Sequence, residues 1–202
     1  MKQIVPGVFC WSVFSQDKGL DFNGHLVLNG TGEAVAIDPP APSASDLEAL
    51  EKVAIPRTIV ITNAHHARGA TALAGRWKAR VLVPRLDAAR LPEGTRVDGE
   101  YAGGDLLPAG LRAIGLTGQK TPGETALLVE EIRVLVVGDA VIGKPPGRLS
   151  LLPPDKYADP EAARAGLKRL LDHPFVALLV GDGCSLPEGG RRALEDLLGI
   201  AS

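Results

Sequence analysis

Short apolar, partly β-branched runs that alternate with amphipathic segments are the feature that most constrains this chain. The clearest apolar runs cover 58–62, 134–137 and 175–180, and a helical pattern over 160–171 separates the last two. Alternation of strand and helix patterns favours a layered α/β architecture. The region 8–37 differs, because its short strands are separated by glycine-containing turns and predict an antiparallel meander. We therefore expect a layered α/β fold that opens with a meander.

Four of the predicted strands end in short polar loops. These loops contain Asp38, Asn63, Asp139 and Asp182. Loops beyond strand ends commonly build the binding site of a layered α/β fold, because the sheet fixes their position while their backbone is free to bend. A single aspartate after a strand is more simply explained as turn chemistry. The four loops together predict a shared pocket.

Composition limits the size, compartment and partners of the protein. The 202 residues, 45% hydrophobic and 23% charged, fit a folded chain with one domain over 1–202 that needs no metal or disulfide for stability. A net charge of −2 argues against nucleic acid and anionic membranes as partners. No apolar run is long enough to span a membrane and no secretory leader pattern is present, so we expect a cytoplasmic protein. Cys10 and Cys184 are too few and too far apart for a disulfide framework or a thiolate zinc cage.

Several motifs follow one another in a definite order along nearly the whole chain. They are, as quoted from the sequence, Asn23 to Leu28 (NGHLVL), Ala36 to Pro39 (AIDP), Ile61-Thr62, Thr121 to Glu124 (TPGE), Val137-Gly138-Asp139 and Gly181-Asp182-Gly183. In this order and spacing the chain resembles the metallo-β-lactamase fold superfamily. The resemblance implies a four-layer αββα sandwich and a relationship to hydrolases and glyoxalase II-like enzymes that act on small molecules.

The same resemblance implies a set of metal ligands that this chain largely lacks. Carried over one position at a time, the ligand positions of the superfamily fall on Asn63, His65, Ala67, Arg68, Lys120, Asp139 and Asp182. His65 and Asp139 alone keep the residue type that the superfamily has there. A catalytic zinc needs about three protein ligands and an open position for water, and neither of the two implied metal positions keeps such a set.

Two of the substitutions place cations where metal ligands are expected. Arg68 and Lys120 would repel a divalent ion, and they would also balance Asp139 and Asp182 in a partly buried pocket. We therefore predict that these four residues form a charge cluster without a metal ion or other cofactor. The pocket around the cluster is predicted to bind a small molecule, and an anion is one candidate ligand. The whole predicted pocket comprises Asp38, Asn63, His65, His66, Arg68, Lys120, Asp139, Asp182 and Cys184.

Two other functions stay open at this point. In the first, His65, Asp139 and Asp182 hold one zinc, manganese or iron ion that activates water for cleavage of an ester, thioester or lactam, with His66 or Cys184 as further ligand candidates. This alternative requires both cations of the cluster to turn away from the aspartates. In the second, the protein has a structural or subunit-interaction role, including homo-oligomer formation, which an extensive exposed apolar patch would indicate.

Overall fold

The computed structural model describes residues 1–200 and contains two β-sheets with helices on their outer faces. The first sheet has seven strands in chain order: β1 (Lys2–Val5), β2 (Val8–Ser15), β3 (Leu20–Leu28), β4 (Ala34–Ile37), β5 (Thr58–Val60), β6 (Arg80–Pro84) and β7 (Gly99–Tyr101). Strands β1 to β4 pair antiparallel and β4 to β7 pair parallel. The predicted antiparallel meander is confirmed, and β1 extends it at the edge.

The second sheet has five strands in the order β12-β11-β10-β9-β8. They are β8 (Leu106–Leu107), β9 (Leu111–Gly115), β10 (Thr125–Val129), β11 (Val134–Val136) and β12 (Ala177–Leu179). The helices are α1 (Ala44–Val53), α2 (Ala70–Trp77), α3 (Pro160–Arg169) and α4 (Gly190–Leu198). In the described part of the chain the longest helices, α1 and α3, have ten residues, and no helix has the length and apolarity to cross a membrane.

Three apolar clusters separate four layers. The central cluster lies between the sheets and includes Val35, Leu127 and Val136. A second cluster joins α1 and α2 to the first sheet, and a third joins α3 and α4 to the second sheet. Burial of each large aliphatic side chain contributes about 1.5–3 kcal/mol. The predicted αββα sandwich is confirmed.

Helix α4 begins later than the predicted helix over 187–198, and β12 is shorter than the predicted strand over 175–180. Leu186 forms an isolated antiparallel bridge with Leu178, and residues 187–189 bend before α4 begins, with Gly189 at φ 66°. The Gly190 amide donates to the Val176 carbonyl at 2.8 Å, and a Cβ at Gly190 would lie 2.5 Å from the Leu178 nitrogen. The first residue of α4 therefore packs directly on β12.

Backbone hydrogen bonds bring the polar loops of the two sheets together. Asn23 of β3 donates to the Gly181 carbonyl at 2.8 Å, and Thr125 of β10 donates to the Thr62 carbonyl at 3.1 Å. The parallel pairs β4–β5 and β11–β12 also direct the carboxyl ends of their strands to the same edge within each sheet. The loops that follow these strands meet where the two sheets adjoin, and this is where the candidate site lies.

Candidate functional site

A buried network around Asp38 forms the base of the site. The Asp38 carboxylate accepts hydrogen bonds from the Thr62 amide at 2.7 Å and the Thr62 hydroxyl at 2.5 Å. His66 Nδ1 lies 2.8 Å from Asp38 Oδ2. Asp38 has φ 47°, a left-handed conformation that aspartate tolerates better than most residues. This network fixes the start of the loop after β5 and one nitrogen of the His66 ring.

A short 3-10 turn, Ala64–His66, sets the directions of the two adjacent histidines. Asn63 caps the turn, and its Oδ1 accepts a hydrogen bond from the His65 amide at 2.8 Å. Asp38 holds the His66 side chain, which is 1% exposed, whereas His65 is exposed. The His65 ring is still partly desolvated, and this partial burial, together with the positive charge of Lys120, lowers the pKa of His65. The structure therefore places His66 in the buried network. The metal alternative drawn from the sequence names His65 as a ligand, and His65 lies outside this network.

Asp139, which follows β11, lies at the centre of the polar contacts. The Asn63 amide nitrogen donates to Asp139 Oδ1 at 2.8 Å, and Lys120 Nζ donates to Oδ2 at 3.2 Å. His66 Nε2 lies 3.6 Å from Oδ1. Burial alone would raise the pKa of Asp139, but the positive charges of His66 and Lys120 hold that pKa below its ordinary value. Burial alone would lower the pKa of His66, but the Asp38 and Asp139 carboxylates raise it.

Asp182, in the loop after β12, forms the second ion pair of the site. Arg68 Nη2 donates to Asp182 Oδ1 at 2.5 Å, and Nη1 donates to the Gly181 carbonyl at 3.3 Å. The guanidinium carbon of Arg68 lies 4.0 Å from the centre of the Phe22 ring, within range of a cation–π contact. The planar guanidinium is thus held by a ring on one face and by two acceptors at its edge.

Two buried titratable residues next to these pairs were not among the predicted site residues. Glu124 is 1% exposed, and burial, together with nearby Asp139, raises its pKa well above the ordinary value. Its place in the Thr-Pro-Gly-Glu motif was the one sequence signal for it. His25 is fully buried, and burial lowers its pKa to about 4. Within residues 1–200 neither ring nitrogen of His25 has a hydrogen-bond partner.

A pocket of about 650 Å³ opens onto the two ion pairs. Of the predicted residues, Lys120, Asp139 and Asp182 line this pocket. Asn63 and His66 are buried and contact Asp139, and Asp38 is linked to it through His66. Arg68 reaches the pocket through its pair with Asp182. The Cys184 thiol is exposed, while its backbone amide donates to the Gly143 carbonyl at 2.7 Å.

The family model described as "Metallo-beta-lactamase superfamily" matches residues 1–200 of this chain. The chain belongs to the metallo-β-lactamase superfamily. No curated protein matches it in a sequence search.

Solved structures with the same fold include other proteins of this superfamily. A metallo-β-lactamase family protein from Thermus thermophilus is 22% identical, with 97% of this chain and 79% of that chain covered and a TM-score of 0.69. A metallo-β-lactamase from Pontibacter korlensis is 17% identical, with 99% and 98% covered and a TM-score of 0.75. A β-lactamase domain protein from Burkholderia ambifaria is 18% identical, with 98% and 71% covered and a TM-score of 0.71. At these identities the likeness establishes the fold alone.

Members of the metallo-β-lactamase superfamily usually bind divalent metal ions, and the residues of this chain fit that chemistry only in part. His66, Asp139 and Asp182 each offer a ligand atom, and these atoms lie within 4.8 Å of one another. Both carboxylates of this group are already paired, Asp139 with Lys120 and Asp182 with Arg68. The donors therefore do not fit a two-metal centre, and a single ion would have to compete with two cations.

Proposed function

We propose that this metallo-β-lactamase-superfamily protein binds a small anionic molecule at a charge-paired site that operates without a metal ion. The observation that carries the proposal is that each of the two aspartates lining the pocket contacts its own cation, Asp139 with Lys120 at 3.2 Å and Asp182 with Arg68 at 2.5 Å. Both cations come from positions where the resemblance implies metal ligands.

Electrostatics explains why such pairs disfavour a metal. Two like charges about 4 Å apart repel by about 4 kcal/mol at the effective dielectric of a protein surface. A divalent ion between Asp139 and Asp182 would meet two such cations or would have to displace both. Displacement would cost Arg68 its two hydrogen bonds and its contact with Phe22. The ion pairs themselves already satisfy the buried carboxylate of Asp139 and the partly buried carboxylate of Asp182.

The charge of the pocket favours an anionic ligand. Four lysines and two aspartates line it, although the chain as a whole has a net charge of −2. A concave site with excess positive charge concentrates small anions from solution. Its volume, about 650 Å³, lies within the range of sites for small organic molecules.

The first test is the metal content of untagged protein purified without chelators and then equilibrated with zinc, manganese and iron(II). We expect far less than one ion per chain after desalting. The double variant Arg68→Ala/Lys120→Ala frees the three ligand atoms of His66, Asp139 and Asp182, and we expect it to acquire zinc at about one ion per chain. The control Lys52→Ala/Arg76→Ala removes the same charge on the outer helical layer, and we expect it to stay without metal.

About one tightly bound ion in the wild-type protein would overturn the proposal, and so would a folded double variant that binds no metal. Circular dichroism spectra of both double variants establish that they are folded. The second outcome would mean that the cations do not stand in the place of a metal ion.

One observation favours a mononuclear metal hydrolase as the second candidate. His66 Nε2 is buried without a hydrogen-bond partner among residues 1–200, and Asp38 holds Nδ1 of the same ring. A carboxylate behind a histidine is a common way to orient that histidine toward a metal ion. An ion held by His66, Asp139 and Asp182 would supply activated water for cleavage of an ester, thioester or lactam. Metal in the wild-type protein that disappears in His66→Ala but not in His65→Ala would establish this candidate.

A further inference from the structure

The pocket holds positive charge beyond what its ion pairs use. Lys18, Lys144 and Lys156 line it in addition to the paired Lys120, and they come from three separate segments. Lys156 lies 2.9 Å from the exposed carboxylate of Asp155. Within residues 1–200, Lys18 and Lys144 form no ion pair. The ammonium groups of Lys18 and Lys144 therefore face the pocket without a carboxylate partner in the described part of the chain. The ammonium group of Lys156 faces the same pocket while paired with Asp155.

Apart from Ser150, apolar side chains form the rest of the wall. Leu20, Ile142, Leu152 and Pro153 line the same pocket as the lysines, and most of its exposed lining is apolar. An inorganic ion alone would leave these side chains in contact with water. A ligand with an apolar body would bury them, at about 25 cal/mol for each Å² removed from water.

The segments that carry the lysines are connected to one another. Lys144 Nζ donates to the Gly19 carbonyl at 3.4 Å, next to Lys18 in the turn between β2 and β3. The Gly143 amide donates to the Asp182 carbonyl at 3.0 Å. These bonds hold Lys18, Lys144 and the Arg68–Asp182 pair in one frame before a ligand binds, which lowers the entropic cost of binding.

Resting on the proposed function, we infer that the anionic ligand is a soluble phosphate monoester with an apolar or aromatic body. A phosphate monoester carries nearly two negative charges and three strong acceptor oxygens at neutral pH. Several separate lysine ammonium groups match these oxygens, since lysine binds phosphate as a point charge. A carboxylate has one charge and two oxygens, so one lysine satisfies it and the other ammonium groups gain little.

The test compares three probes by isothermal titration calorimetry at equal ionic strength and pH of about 8, where the phosphate is dianionic. The probes are hexyl phosphate, heptanoate and inorganic phosphate. We expect hexyl phosphate to bind at least about tenfold more tightly than either of the others, which corresponds to about 1.4 kcal/mol. Heptanoate tests the charge of the head group, and inorganic phosphate tests the apolar wall.

Variants locate the head group. We expect Lys18→Met and Lys144→Met each to weaken hexyl phosphate binding about fivefold or more and heptanoate binding less. The control Lys52→Met removes an exposed lysine of α1 and leaves all affinities unchanged. Equal loss for both ligands in Lys18→Met and Lys144→Met would overturn the assignment of the phosphate to these lysines.

The outcomes separate this inference from the proposed function. Absence of binding for all three probes would remove the anion site itself. Equal affinity for heptanoate and hexyl phosphate would keep the anion site and reject the phosphate, and equal affinity for the two phosphates would reject the apolar body. Vesicles of phosphatidylcholine with phosphatidic acid supply the same head group on a membrane. If the protein sediments with these vesicles and Lys144→Met abolishes this sedimentation, the inference that the ligand is soluble would be overturned.

Discussion

Two buried histidines near the site have opposite charge preferences. Carboxylates on both sides of the His66 ring raise its pKa despite complete burial, so the folded protein favours its protonated form. His25 has no such contact, and burial lowers its pKa to about 4, so the folded protein favours its neutral form. The location of a carboxylate therefore decides in which direction the pKa of each buried histidine shifts.

The neutral state of His25 predicts a pH dependence of stability. The unfolded chain binds this proton with a pKa of about 6.5, and the folded chain binds it with a pKa of about 4. Between these values the unfolded state holds more protons, so stability falls as the pH drops from 6.5 toward 4. In the wild-type protein we expect this proton to lower the free energy of unfolding by about 3 kcal/mol across this pH window, and we expect His25→Leu to abolish that decrease.

Urea unfolding of the wild-type protein and of His25→Leu near both ends of this window measures the effect. Val27→Ala, at a buried position of the same strand without a titratable group, lowers stability but leaves its pH dependence unchanged. The same acid loss in His25→Leu and in the wild-type protein would contradict the assignment to His25.

Among the elements, the crossing of two loops gives the pocket its shape. Gly143 and Gly183 form a bridge between the loop after β11 and the loop after β12. A Cβ at Gly143 would overlap the Cys184 carbonyl oxygen, closer than any real contact. The loop that carries Lys144 can therefore follow its course only with glycine at position 143.

This contact predicts opposite effects for two glycine-to-alanine changes. Gly143→Ala forces the crossing apart, and we expect it to destabilise the fold by about 1–3 kcal/mol and to weaken hexyl phosphate binding. Gly75→Ala adds a Cβ in open space within α2, and we expect it to stabilise by about 0.5–1 kcal/mol. Urea unfolding measures both changes. Unchanged stability of Gly143→Ala would show that the two loops can move apart at no energetic cost, which contradicts the prediction.

For the molecule as a whole, the question is whether the four layers unfold together. Trp11 and Trp77 both belong to the cluster between the first sheet and α1–α2. Leu194 of α4 belongs to the cluster on the opposite outer face. The central cluster between the two sheets connects them, and we propose that residues 1–202 unfold as one cooperative domain.

Leu194→Ala tests this cooperativity across the molecule. Truncation of a fully buried leucine costs about 2–5 kcal/mol. We expect the unfolding midpoint from tryptophan fluorescence, which reports the opposite layer, to shift as far as the midpoint from circular dichroism. Arg192→Ala on the exposed side of α4 serves as the control. A fluorescence midpoint that does not move would divide the protein into two units.

The sequence by itself determined the fold and much of the chemistry of the site. Buried strands such as β11 and β12 are continuous apolar runs, which the local pattern indicates directly. The order of the short motifs indicated the metallo-β-lactamase sandwich. The residue types at positions 68 and 120 indicated that cations stand where metal ligands are expected, because charge is a property of the residue itself.

Tertiary structure alone decided which side chains meet. The choice of His66 over His65 depends on Asp38, which is 28 residues away along the chain. The alignment of Lys18, Lys144 and Lys156 on one pocket depends on loops of both sheets that are joined by backbone hydrogen bonds. Burial and distance between remote segments set these contacts and the resulting pKa shifts, and no local pattern of residues contains that information.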